Sequence, residues 1–292
     1  MNKSKFQIFV ENFILTGLTI LKILLFSKFF NNKYKAIRNK GKECIILGNG
    51  PSLSSFLTKK INFLKDKDSF AVNFFWKSEY FEVVKPKYYV ILSTNYWTNG
   101  KIDLNDEGRK ETFNNIARKT YWNMILFVPI IARKDKAWRK ELDLNKNISI
   151  EYLNITPVEG FEEFSFFCFK KNLGMPRPHN VLVACVKASI DLKYENVFVA
   201  GADHSWLQDI YVADNNEVYL TQKHFYDELN AKAEVMYQGI TNKKRNLAQV
   251  LTKFVHSFNS YYILNSYAKK NNVKIINVTE GSFIDAFERK QI

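Results

Sequence analysis

Residues 44–53 read Cys44-Ile45-Ile46-Leu47-Gly48-Asn49-Gly50-Pro51-Ser52-Leu53, and the order of chemistry in that stretch decides the fold class. Four consecutive apolar residues put side chains on both faces of a strand, which is stable only where helices cover both sides of a parallel sheet. The run stops at a glycine turn, and a helical pattern follows from Ser54 to Lys65. A glycine-rich turn between a first strand and its helix lets backbone approach a phosphate, with free helix N–H groups and a favourable dipole beyond it. On that reading Gly48, Asn49, Gly50, Pro51 and Ser52 form a nucleotide-binding loop. The same residues also make a tight turn with Ser52 as helix N-cap, and the motif has neither the third glycine of GxGxxG nor a GK[ST].

Outward from this stretch the pattern repeats. Strands are expected at Glu43–Leu47, Ser69–Val72, Tyr88–Leu92, Met124–Val128, Ile148–Leu153, Asn196–Ala200 and Val273–Val278. Helical periodicity covers Ser54–Lys65, Val181–Leu192, His224–Met236 and Asn246–Asn271. Such alternation implies a doubly wound, mostly parallel α/β sheet with right-handed crossovers, a Rossmann-like domain over residues 43–292. Residues 202–245 read as a lid-like insertion. The stretch from about 101 to 174 is rich in aromatics and lysine and weaker in pattern, which suits irregular loops or an acceptor-facing insertion.

Candidate site residues cluster where open α/β sheets bind ligands, beyond the carboxyl ends of their strands. Asn73 follows the second strand and Asn95 the third; a neutral amide there bridges a ribose or base without adding charge. Arg177-Pro178-His179-Asn180 opens the helix from Val181, where Pro is tolerated and a cation reinforces anion binding. The strand ending at Ala200 runs into Gly201-Ala202-Asp203-His204, and an Asp just beyond a buried strand suits a catalytic or ribose-binding role as well as a cap. No DxD pair accompanies it, so no essential metal is expected. The four histidines are His179, His204, His224 and His256, the side chains that most readily act as bases near neutral pH.

The net charge is +14, and nine of the basic residues fall in residues 1–42 against one acid, Glu11. They bracket the apolar run Phe13–Phe26, whereas a nucleic-acid reader spreads its charge over a folded face, so no nucleic-acid partner is expected. That run is short for a spanning helix and lacks a small-residue cleavage site. Residues 6–42 therefore read as a basic amphipathic segment lying on an anionic membrane surface, each lysine there contributing about 1 kcal/mol. Packing of the same helix on the protein's own core is the other reading. Three cysteines without CxxC spacing, Cys44, Cys168 and Cys185, point to neither a disulfide framework nor a zinc site.

Taken together, CIILGNGPSL, Asn73, Asn95, the Arg177-led helix, VFVAGADHSW and the segment from His256 to Ser282 resemble the bacterial sialyltransferases that decorate lipooligosaccharide, the family 42 type of glycosyltransferase. The resemblance implies a membrane-associated, inverting transferase at the cytoplasmic face of the inner membrane. Its donor would be a CMP-linked sugar of the sialic acid or Kdo type, its partner a glycan or glycolipid acceptor, and no cofactor beyond the nucleotide sugar would be needed. It assigns Arg177, Asn180, Gly201 and Asp203 to the donor pocket, Tyr211 to the leaving phosphate and His256 to the general base. Ser205 stands where that family has Tyr, leaving the sugar open, and the oligomeric state, homo-oligomers included, is open too. A Mg²⁺-dependent pterin or nucleotide pyrophosphokinase, and a non-catalytic membrane scaffold on a nucleotide fold, are the rival readings.

Overall fold

The computed structural model describes residues 3–29, 42–93, 96–97, 106–134, 137–226, 231–238 and 243–292. In chain order the strands are β1 (Glu43–Leu47), β2 (Asp68–Val72), β3 (Tyr88–Val90), β4 (Met124–Pro129), β5 (Ile148–Leu153), β6 (Asn196–Ala200), β7 (Ile210–Val212), β8 (Val218–Thr221), β9 (Ala233–Val235), β10 (Lys274–Asn277) and β11 (Glu288–Arg289). The helices are α1 (Lys5–Phe26), α2 (Ser52–Lys60), α3 (Tyr80–Val84), α4 (Asp106–Lys119), α5 (Lys140–Leu144), α6 (Glu162–Lys170), α7 (Val181–Asp191) and α8 (Leu247–Lys270).

Eight strands form one sheet in the order β11-β10-β6-β1-β2-β3-β4-β5, every neighbouring pair parallel. Alternate residues of the central strands serve two cores. Cys44, Ile46, Phe70 and Val72 pack with α6, α7 and α8, while Ile45, Leu47, Ala71 and Tyr89 pack with α2, α3 and α4. The doubly wound α/β fold expected from the sequence is the fold observed. From β1 the chain winds outward to β5, then returns to place β6 on the other side of β1. Strand order thus reverses between β1 and β6, which opens a crevice beyond their carboxyl ends.

The expected strands and the helices at α7 and α8 match closely. His224–Met236 departs: its described part contains no helix, and Ala233–Val235 instead pairs with β8 in a separate antiparallel sheet, β7-β8-β9. That three-stranded sheet lies inside the expected insertion, and Val218, Leu220 and Met236 pack on Val250 and Phe254 of α8. The described part of the weakly patterned region after residue 101 holds three further helices, α4, α5 and α6.

Helix α1 has 22 residues and starts with a capping box in which Ser4 and Gln7 satisfy each other's backbone N–H groups. It is long and apolar enough to cross a bilayer by length and composition, so length does not separate a spanning from a surface-lying helix. Its contacts do bear on the choice. Thr16 Oγ1 accepts from Phe161 N–H, Thr19 Oγ1 donates to Glu159 O and accepts from Glu159 N–H, and Ser27 Oγ donates to Leu173 O. Gly160, at φ +112°, permits this approach, because a Cβ there would lie 2.1 Å from Thr16 Oγ1. One stripe, from Phe9 against Phe161 down to Ser27, is docked on the domain, while Phe6, Phe13, Leu21, Leu24 and Leu25 stay exposed.

Inside the core, α7 buries an ion pair. Lys187 Nζ lies 2.8 Å from Asp191 Oδ2, both side chains almost wholly buried, and Tyr267 OH donates to Asp191 Oδ1. Removing one buried partner leaves the other charge uncompensated. Asp191→Ala is therefore expected to cost about 3–5 kcal/mol in urea unfolding, and Lys187→Met combined with Asp191→Leu to recover most of it.

Candidate functional site

Two glycine loops are laced together at the strand reversal. Gly48 N–H donates to Ala200 O at 2.8 Å and Gly50 N–H to Gly201 O at 2.9 Å, extending the β1–β6 ladder past both strands. The approach excludes side chains, since a Cβ on Gly48 would sit 2.4 Å from Gly201 O and one on Gly50 only 2.0 Å from Asp203 Oδ2. Gly201 itself has φ +65°.

Asp203 reaches across this lacing to the start of α2. Its Oδ1 accepts from Ser52 N–H at 3.2 Å and its Oδ2 from Ser52 Oγ at 2.9 Å. The helix end expected to receive a phosphate is thus capped by the protein's own carboxylate. The second helix end is closed too, for Asn180 is the N-cap of α7 and its Oδ1 accepts from Leu182 N–H. A ligand in this crevice meets side-chain amides and a carboxylate. Those groups suit hydroxyls and the edges of bases better than a bare phosphate.

The crevice between the loops encloses about 100 Å³ and is lined by Asn49, Gly50, Pro51, Asn73, Asn180, Gly201 and Asp203. Asn49 is buried; its Nδ2 donates to Val72 O at 3.0 Å, but its Oδ1 has no partner among the described residues. A buried acceptor left open costs about 1–3 kcal/mol unless a ligand or water supplies a donor. Asn73 holds φ +49°, with its N–H on Val90 O and its own carbonyl accepting from Tyr89 OH. Asn95 lies outside the described residues.

The far wall comes from residues that the sequence reading did not place in the donor pocket. His204, Trp206, Asp209, Thr221, Lys223 and His224 all line the crevice. Just beyond this wall Phe225 N–H donates to Asn49 O, and its ring packs on Phe75 at 5.6 Å. His204 is buried at φ +54°, its Nε2 2.7 Å from Tyr261 OH, which in turn donates to Asn180 Oδ1 at 3.3 Å. A neutral imidazole with its proton on Nε2 satisfies that whole chain. Burial pushes the His204 pKa down to about 3.

Three of the expected catalytic residues lie apart from this lining. Arg177 makes a two-pronged ion pair with Glu159, at 2.7 and 2.8 Å, and Glu159 also faces Lys22 of α1. Burial works to raise the Glu159 pKa, but Arg177 and Lys22 bring it below the ordinary carboxylate value. His256 stacks on His179 with ring centres 5.2 Å apart, beside Asn180 in the chain. Burial and then Arg177 lower the His256 pKa, while burial and then His256 bring His179 to about 4. Tyr211 is half-exposed on β7, stacked on Tyr219. Gly48 sits behind the crevice in the loop lacing, and Ser52 faces a second cavity on the other side of Asp203. Among the described residues no three His, Cys, Asp or Glu side chains converge in a metal-binding group.

No protein-family model matches the chain, and no curated protein does. Among solved structures, the MAf glycosyltransferase from Magnetospirillum magneticum AMB-1 is similar at 10% identity with a TM-score of 0.47, over 97% of this chain. The chain spans 38% of the length of that protein. A likeness this shallow carries no assignment of activity.

The buried His204 generates a pH prediction. The folded protein resists protonating it, whereas the unfolded chain takes a proton near the ordinary value of about 6.5. Its contribution is therefore present above pH 6.5 and is lost as pH falls toward 3. Against a His204→Asn variant, wild type should show its largest advantage in Tm near pH 7, and that gap should narrow on acidification to pH 4.

Proposed function

We propose that the protein is a nucleotide-sugar glycosyltransferase whose donor nucleotide is held at the β1–β6 crevice, with a CMP-linked sugar of the sialic acid or Kdo type as donor and a surface glycan or glycolipid as acceptor. The observation that carries this reading is the unpartnered buried Oδ1 of Asn49, at the strand reversal, facing the same crevice as Asn73, Asn180 and Asp203. The Asn49 oxygen accepts an amino group such as that of cytosine. The Asp203 carboxylate accepts ribose hydroxyls while it keeps its hold on Ser52. At about 100 Å³ the crevice is smaller than ordinary ligand pockets, so binding displaces the wall formed by Thr221 to His224, a movement that suits the insertion expected over residues 202–245.

In this reading His256 accepts the proton of the attacking acceptor hydroxyl. Its lowered pKa supports the role by keeping the imidazole neutral near pH 7. Arg177, with Tyr211, would stabilise the departing phosphate, which requires the guanidinium to trade Glu159 for the substrate. His224, which lines the crevice, is the competing base. The reaction is proposed to be inverting and metal-independent.

A thermal-shift screen of CMP, UDP, GDP and their sugars, with and without EDTA, tests the whole reading. CMP should stabilise the protein whether or not EDTA is present, and Asn49→Ala should weaken CMP binding about tenfold, the loss of one good hydrogen bond. Turnover should fall at least about 10²-fold in His256→Ala with CMP binding retained, and stay near wild type in His224→Ala. No shift with any nucleotide would leave the scaffold reading, and binding that requires Mg²⁺ would favour the pyrophosphokinase.

Helix α1 is proposed to lie in the membrane plane at the cytoplasmic face of the inner membrane. Its docked stripe runs nearly the length of the helix, so the helix stays on the domain while its exposed faces enter the lipid boundary. Charging three of those exposed positions, as Phe13→Glu, Leu21→Glu and Leu24→Glu together, should move the protein from the membrane to the soluble fraction without lowering its Tm. Continued sedimentation with membranes would exclude the surface-lying arrangement.

A further inference from the structure

A second and larger cavity lies on the far side of the loop lacing. It encloses about 480 Å³, within the usual range for small-ligand sites, between α2 and the chain around β10 and β11. Gly201 lines both cavities, and the Ser52–Asp203 hydrogen bond forms the partition, with Ser52 on this side and Asp203 on the crevice side. It too lies beyond the carboxyl ends of its strands, since Asn277 ends β10 and Gly201 follows β6.

The chemistry of its walls is one-sided. Lys59, Lys60, Arg289 and Lys290 line it against one carboxylate side chain, Glu280. Lys59, Lys60 and Lys290 form no side-chain hydrogen bond or ion pair with any other described residue. Arg289 is held in place instead, its guanidinium donating to the carbonyls of Ser282 and Ile284. A fixed guanidinium with free lysines around it is a preorganised seat for carboxylate or phosphate. The rest of the lining, with the Ser55 hydroxyl, Gln291, and the apolar faces of Phe56 and Val278, matches the mixed hydroxyl and C–H surface of a sugar ring.

We infer that this cavity binds an anionic saccharide, a sugar carrying carboxylate or phosphate, at a subsite beside the reacting centre, since His256, Arg177 and Tyr211 are absent from its lining. Reading that sugar as a distal residue of the acceptor glycan rests on the transferase reading above; the cavity's preference for an acidic sugar does not.

Titration calorimetry on the full chain separates the two claims. Digalacturonate, with two carboxylates, should bind, and lactose, its neutral counterpart, should bind at least tenfold more weakly. Lys59→Glu with Lys60→Glu, and separately Lys290→Glu, should each weaken digalacturonate at least tenfold and leave CMP binding unchanged. Lys269→Glu, in the last turn of α8 and outside this cavity, controls for net charge and should change neither. Equal binding of lactose, an equal loss in Lys269→Glu, or displacement of digalacturonate by CMP would overturn the inference. Digalacturonate bound by these lysines in a protein that binds no nucleotide would instead overturn the transferase reading and leave the cavity assignment standing.

Discussion

The molecule is organised by the lacing of two glycine loops across the β1–β6 reversal. Three features depend on it. Gly48 and Gly50 donate to the carbonyls of Ala200 and Gly201, which requires three glycines in contact and tolerates no Cβ on either side. That closeness lets Asp203 cap a helix that begins 151 residues earlier in the chain. The cap then divides the carboxyl edge of the sheet into two seats of different character, one lined by amides, Asp203 and the paired Asp209 and Lys223, the other mainly by cations. A sheet without the strand reversal would offer no gap for either.

Much of the fold was legible because the central strands are buried on both faces and bounded by glycine, asparagine or proline. CIIL, VFVA and MILFV contain no polar residue that would suit a solvent-facing side. Helices α7 and α8 announced themselves by length and by the asparagines at their N-caps, Asn180 and Asn246. Helix α4 did not, because DEGRKETFNNIARK has a thin apolar stripe, with Phe113, Ile116 and Ala117 buried. The stretch from His224 misled for the opposite reason. Its apolar residues near Val235 are spaced for a short strand as well as a helix, and pairing with β8 decided the outcome.

For the candidate site, sequence placed the loops but not their partners. Asn49, Asn73 and Asp203, which follow strands, do meet in one crevice with Asn180, which opens α7. What the sequence could not show was that Asp203 is already engaged by Ser52, or that Arg177 is engaged by Glu159, since each pair is set by tertiary packing rather than by spacing. The wall supplied by His204, Trp206 and His224 escaped for the same reason: a three-stranded antiparallel sheet, invisible to helical periodicity, stands behind it.

Glu159 joins parts of the molecule that are otherwise remote. Its backbone holds Thr19 of the apolar helix, and its carboxylate holds Arg177 at the approach to α7. The apolar helix and the approach to α7 are therefore tied through a single residue. Were a lipid surface to fix the roll of α1, as proposed above, Glu159 would pass that bearing on to Arg177 and the start of α7.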